Sequence, residues 1–106
     1  MNGLTEFQKN ILYILANDSA YGLAIKRELE DYYGCEINHG RLYPNLDKLV
    51  ESEFVRKKSL DDRTNEYELT EKGEKKLAKE IKWKIELYAN SDEEKKDEIL
   101  TLVRDL

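Results

Sequence analysis

The hydrophobic pattern of this chain changes period between residues 54 and 69, and that one change restricts the folds open to it. Before it, apolar residues recur every three to four positions, the spacing that turns one face of an α-helix toward a core. Phe7, Ile11, Ile14 and Leu15 form one such stripe, and Ile25, Leu29 and Tyr32 a second. Leu42, Leu46, Leu49 and Val50 form a third. From Phe54 the period falls to two, and the alternating runs 55–59 and 66–69 bracket a polar turn at 61–65, the pattern of a β-hairpin. Helical spacing then resumes. The chain therefore reads helix, helix, helix, hairpin, helix, helix: mainly α with a small β-hairpin, an α+β class.

Local signals set the boundaries. Thr5 followed by Gln8 is a capping box, which starts a first helix over 6–17. Gly34 stops a second helix over about 21–33, because glycine enters the left-handed region without steric cost. Pro44 places the start of the third helix, about 39–52, within a few residues of itself. Thr70 caps a long helix over 71–89, and Ser91 with Glu94 repeats the capping box before a last helix that ends near 105. At 106 residues this is one domain. Within it, 1–70 forms the hairpin-bearing unit and 71–106 a helical segment compact with it.

Composition bears on the partner. With 18 Lys+Arg against 23 Asp+Glu the net charge is -5, which argues against indiscriminate adhesion to nucleic acid or an anionic membrane. DNA binding must then rest on a local face. No apolar run approaches the ~18 residues that span a bilayer, and no signal pattern opens the chain, so a cytoplasmic protein with no membrane partner is expected. The lone cysteine, Cys35, excludes an intrachain disulfide and is expected as a buried or partly buried filler. His39 is the sole histidine, and with Cys35 it supplies two metal ligands where three or four are needed. There is no nucleophile elbow and no phosphate loop. The sequence thus points to no enzyme, no catalytic residue, no metal and no cofactor, and Asp61-Asp62 reads as a solvated turn.

A different chemistry is carried by the third helix. Arg41, Asn45 and Lys48 lie at i, i+4 and i+7 on a face away from the leucines. Arginine pairs with guanine, asparagine with adenine, and lysine with guanine or phosphate. His39, at the helix start, is expected to cap it or meet a phosphate. In the hairpin, Arg56, Lys57, Lys58 and Arg63 can neutralise phosphates, with Arg56 and Lys58 on one strand face and Thr64 and Asn65 at the turn. Asp61, Asp62, Glu66 and Glu68 cancel these charges formally. Three helices and a hairpin suggest a winged helix-turn-helix, whose third helix enters the major groove of double-stranded DNA. The long helix carries Leu77, Ile81, Ile85 and Tyr88 on one side and Trp83 and Leu87 on the other, and the last helix carries Ile99, Leu102, Val103 and Leu106. One side packs on its own domain; the other meets the last helix or a second copy. In a homodimer, two-fold symmetry matches a palindromic site.

The run His39-Gly40-Arg41-Leu42-Tyr43-Pro44-Asn45-Leu46-Asp47-Lys48-Leu49 resembles the recognition-helix motif of PadR-like transcriptional regulators, in particular short archaeal-type members. Tyr21-Gly22-Leu23-Ala24-Ile25-Lys26 resembles the start of that family's second helix, and Tyr67-Glu68-Leu69-Thr70-Glu71-Lys72-Gly73 the end of its wing. The resemblance covers about residues 4–80. It implies a homodimeric DNA-binding repressor with C-terminal dimerisation helices, DNA contacts through Arg41, Tyr43, Asn45 and Arg63, and a small aromatic effector near an interface lined by Trp83. It departs where the family usually has glycine and this chain has Glu53, which in a left-handed conformation costs about 1 kcal/mol. The alternative is a winged-helix protein-interaction module that keeps the fold and never binds DNA.

Overall fold

Capping chemistry starts the first helix, α1 (Glu6–Asn17), where expected. The Thr5 hydroxyl accepts from the Gln8 amide at 3.1 Å, and the Gln8 side chain accepts from the Thr5 amide at 3.0 Å. Two donors that a helix start leaves orphaned are thereby satisfied. The computed structural model describes residues 3–106. Among them the order continues with β1 (Ala20–Tyr21), α2 (Gly22–Tyr33), α3 (His39–Glu51), β2 (Val55–Ser59), β3 (Asn65–Leu69), α4 (Glu71–Ala89) and α5 (Glu93–Arg104).

The hairpin gains a third strand that the sequence pattern does not show. β1 pairs antiparallel with β3, so the sheet order is β1-β3-β2, with Ala20 opposite Tyr67 and Tyr21 opposite Glu66. Two residues are too few to display an alternation, and their partner lies more than forty positions away. The sheet packs on a core in which Ile11, Ile25, Leu29, Leu42, Leu46 and Leu49 are fully buried.

Two expected core positions shift along their helices. In α2 it is Tyr33, not Tyr32, that turns inward: its ring lies 6.0 Å from that of Phe7 and its hydroxyl accepts from Asn10 at 2.8 Å. Tyr32 is 74% exposed. In α1, Leu12 is fully buried and Ile14 only half-buried. Cys35 is exposed rather than buried, because Gly34 (φ 70°) turns the chain outward before Ile37 re-enters the core. Glu30 accepts from the Ile37 amide at 3.0 Å and pairs with Lys26 at 2.9 Å. Those two partners hold its carboxyl below the usual range.

Asn38, not His39, caps α3, its side chain accepting from the Arg41 amide at 2.8 Å. Pro44 lies in the second turn and removes one ladder bond, to the Gly40 carbonyl. Both residues lie on the exposed side, so water can serve that carbonyl. Glu53 is left-handed (φ 68°), and its carbonyl accepts from the Thr70 hydroxyl at 2.6 Å. Thr70 also caps α4, accepting from Gly73 at 3.1 Å. A methyl group at Gly73 would run into the Phe54 carbonyl.

The last boundary differs from expectation. Asn90 (φ 42°) and Ser91 (φ 67°) are both left-handed, so Ser91 cannot serve as an extended cap. Asp92 caps α5 instead, accepting from the Glu94 and Lys95 amides at 3.0 and 3.2 Å. Among the described residues, no helix is long and apolar enough to cross a membrane.

Candidate nucleic-acid interface

Complete burial of Leu42, Leu46 and Leu49 fixes the rotation of α3 about its axis. At 100° per residue, Gly40, Pro44, Asp47 and Glu51 then point directly away from the core, and all four are exposed. The candidates taken from the sequence fall on two flanks of that outward strip. Arg41, Asn45 and Lys48 form one flank, beside α1. His39 and Tyr43 form the other, beside the start of α2 and the wing.

On the first flank the structure separates three residues that spacing makes equivalent. The Arg41 guanidinium lies 4.0 Å over the Phe7 ring and 5.7 Å from that of Tyr33. Stacking uses its flat face and leaves its N–H edge for a partner. Asn45 is half-buried and already engaged: its amide oxygen accepts from Gln8 at 3.0 Å and its amide nitrogen donates to the Arg41 carbonyl at 2.7 Å. Asn45 thus forms a strut between α1 and α3. Gln8 and Phe7 had shown no sign of this role, since each fits the pattern of an ordinary helix start. Lys48 is exposed.

On the second flank, the Tyr43 ring packs against the first residue of α2. A Cβ on Gly22 would come within 2.7 Å of the Tyr43 hydroxyl, so glycine is what permits the approach. A glycine at a helix start beside a tyrosine is a readable sign of such a contact. His39 stacks on Tyr43 with ring centroids 5.4 Å apart and planes within 5°. Between this flank and the wing lies an open cleft of about 380 Å³, lined by Tyr21, Gly22, Tyr43, Arg63, Asn65 and Tyr67 among others. Tyr67 is the residue that sequence reasoning missed here. It alternates like any inward strand residue, and it is 1% exposed. Burial first, then Asp47 and Tyr43, push its phenol above the ordinary value.

The wing's outer face is more balanced than the count of cations implies. Arg56 pairs with Glu68 at 2.6 Å, and Lys58 stands opposite Glu66. Arg56 is thus ion-paired at the surface, because cross-strand register sets a carboxylate beside it. Arg63 stands exposed at the tip. That tip is ordered by Asp61, whose carboxylate accepts from the Arg63 and Thr64 amides at 2.8 and 2.7 Å and is held below its usual pKa by them. Asp61 is thus a turn-forming group rather than a merely solvated one. Thr64 and Asn65 are half-buried beside the cleft.

The C-terminal helices leave their apolar residues open. Leu77 is buried, but Ile81, one turn later on the same stripe, is 44% exposed. The expectation that Leu77–Tyr88 packs on its own domain fails beyond Leu77, because α4 outruns the core it starts on. Nor does α5 cover the opposite side: Trp83 and Leu87 are 59% and 60% exposed. Ile99 is half-buried in the α4–α5 pair, whereas Leu102 and Val103 are exposed. Lys9 of α1 and Lys84 clamp Glu80 of α4 at 2.7 and 3.2 Å, lowering its pKa. Among the described residues, no group of three or more His, Cys, Asp or Glu is placed to hold a metal ion.

Comparison with known proteins gives a consistent result. The model of the transcriptional regulator PadR-like family matches residues 11–79. The solved structure of RosR from H. salinarum grown from NaBr is 50% identical with a TM-score of 0.91, covering 98% of this chain and 94% of that one. A complex structure of RosR-S1 is 51% identical with a TM-score of 0.91, over 96% and 90%. PadR from Bacillus subtilis in complex with operator DNA is 22% identical with a TM-score of 0.63, over 73% and 47%, a likeness of fold. No curated protein matches the chain.

Proposed function

The chain belongs to the PadR-like family of transcriptional regulators, a family of regulators rather than enzymes, and from that premise we propose that it binds double-stranded DNA as a homodimer and represses from a palindromic operator. The observation that carries this is the posture of α3. Its leucine stripe is wholly buried, its opposite side is open, and the wing with Arg63 stands beside it. Arg41 and Lys48 then address one side of the major groove. Tyr43, His39 and the wing tip with Thr64 and Asn65 address the backbone on the other, fixing register without reading sequence. Lys58 adds a phosphate contact at the wing's outer face.

The dimer forms through Trp83, Leu87, Leu102 and Val103, with Ile99 behind them. Exposed apolar side chains on two adjacent helices support it, since contiguous apolar patches mark interaction surfaces. Residues 1–70 act as the DNA-binding unit and 71–106 as the dimerisation segment. Trp83 would line the site of a small aromatic effector. Two recognition helices related by two-fold symmetry should lie about 34 Å apart, one turn of DNA.

Selection of bound DNA from a random pool at moderate salt tests this. A recovered palindrome is the expected outcome. One observation favours the competing interaction module: Asp47 and Glu51 occupy the outward strip of α3. Absence of any enriched sequence would support that module and overturn DNA binding.

A further inference from the structure

Four independent features meet in the cleft between α2 and the wing. First, α2 has no side-chain cap: Tyr21 occupies the cap position and makes no capping bond. The first N–H groups of this 12-residue helix have no partner within it, and they carry the positive end of its dipole. Second, the Tyr43 hydroxyl is held at Gly22, the first residue of that helix. Third, Tyr67 lines the cleft, is 1% exposed, and makes no hydrogen bond through its hydroxyl among the described residues. No buried side-chain polar atom there is sealed off without a partner, so that hydroxyl opens into the cleft. Fourth, Arg63 brings a positive charge from the ordered wing tip.

All four offer donors or positive potential, and they converge on one space. We propose that the cleft is a phosphoryl-anion site, held by the α2 N-terminus, Tyr43, Tyr67 and Arg63. Building on the DNA-binding reading, it seats one backbone phosphodiester of the bound site. A phenol is protonated at neutral pH, so the Tyr67 hydroxyl is available as a donor. A phosphate in the cleft is held by groups from α2, α3 and the wing at once, which locks the wing against the helix-turn-helix pair. The contact therefore positions the whole unit on the backbone and leaves base discrimination to Arg41 and Lys48.

NMR titration of the full chain with inorganic phosphate, against sodium chloride at equal ionic strength, tests the site itself. The Gly22 and Leu23 amides and the Tyr67 ring should shift and saturate. Tyr67→Phe keeps the ring and its packing and should weaken phosphate binding about 5–10-fold, the loss of one donor. Shifts confined to other regions, or equal affinity in wild type and Tyr67→Phe, would overturn the proposal. A second arm finds the source of the phosphate. On a DNA fragment from the selection, each backbone phosphate is replaced in turn by a neutral methylphosphonate. At one position the replacement should weaken wild-type binding by more than it weakens Tyr67→Phe. Phosphate binding without any DNA binding would keep the site and assign it to a free phosphate, removing only the DNA function. DNA binding with no phosphate titration and no such position would remove only the site.

Discussion

Leu77 and Ile81 lie one turn apart on the same stripe of one helix, yet the first is 4% exposed and the second 44%. Between them runs the border between two regions that use apolar side chains differently. On the N-terminal side, helices α1 to α3 and the sheet bury Ile11, Leu42, Leu46 and Leu49 completely. On the C-terminal side, α5 carries an equally regular stripe and fully buries none of it. Periodicity states that a face is to be covered; it does not state by what. The first region supplies its own cover, and the second leaves its stripe open within the single chain.

The contrast can be broken by mutation. The largest effect belongs to the self-sufficient region: Leu46→Ala should cost about 2–5 kcal/mol of stability in denaturant unfolding, with no dependence on protein concentration. A change below 1 kcal/mol would mean the core is looser than its burial indicates. Next, Leu87→Asp with Val103→Asp should weaken self-association by about 30-fold or more in sedimentation equilibrium while leaving the helix content intact. Unchanged association would place the dimer contact elsewhere. Glu53→Gly should stabilise by about 1 kcal/mol, since glycine meets no Cβ penalty at φ 68°. A lower melting temperature would show that the Glu53 side chain contributes something its backbone angle conceals.

The smallest effect lies on the border itself. Glu80 is held below the ordinary carboxylate range by Lys9, then Lys84. Its contribution is present at neutral pH and is lost as pH falls through that depressed value. Glu80→Gln should therefore cost less than about 1 kcal/mol at pH 7 and flatten the acid limb of a stability–pH curve. An acid limb that is unaltered would detach the clamp from stability.

Element boundaries were readable wherever a short-range signal sets them. Thr5 with Gln8, Gly34 and Thr70 act within four residues of themselves, and each stands where expected. Ser91 misled because a capping box presumes an extended first residue, and two successive left-handed residues shift the cap to Asp92. The site was legible only as a set of candidates. Helical spacing ranks Arg41 and Asn45 alike, and a partner 37 positions away, Gln8, separates them. Arg56 and Glu68 are likewise paired by strand register, and Tyr67 is marked by the empty space at its hydroxyl. Such facts belong to tertiary geometry, which one-dimensional periodicity does not carry.

The continuity of α4 has a consequence for the DNA site. The helix runs unbroken for 19 residues, Glu71–Ala89, and joins the socket of Leu77 to the open face at Trp83 and Leu87. It therefore works as a shaft that sets rotational phase between the DNA-binding unit and whatever seats on its far end. One residue inserted between Leu77 and Trp83 would advance that face by about 100° and only about 1.5 Å. In B-DNA, with about 10–10.5 base pairs per turn, the same rotation takes roughly three base pairs. Spacing between half-sites in the proposed dimer is then an angular quantity, and it answers to the number of residues in α4 far more than to their identity.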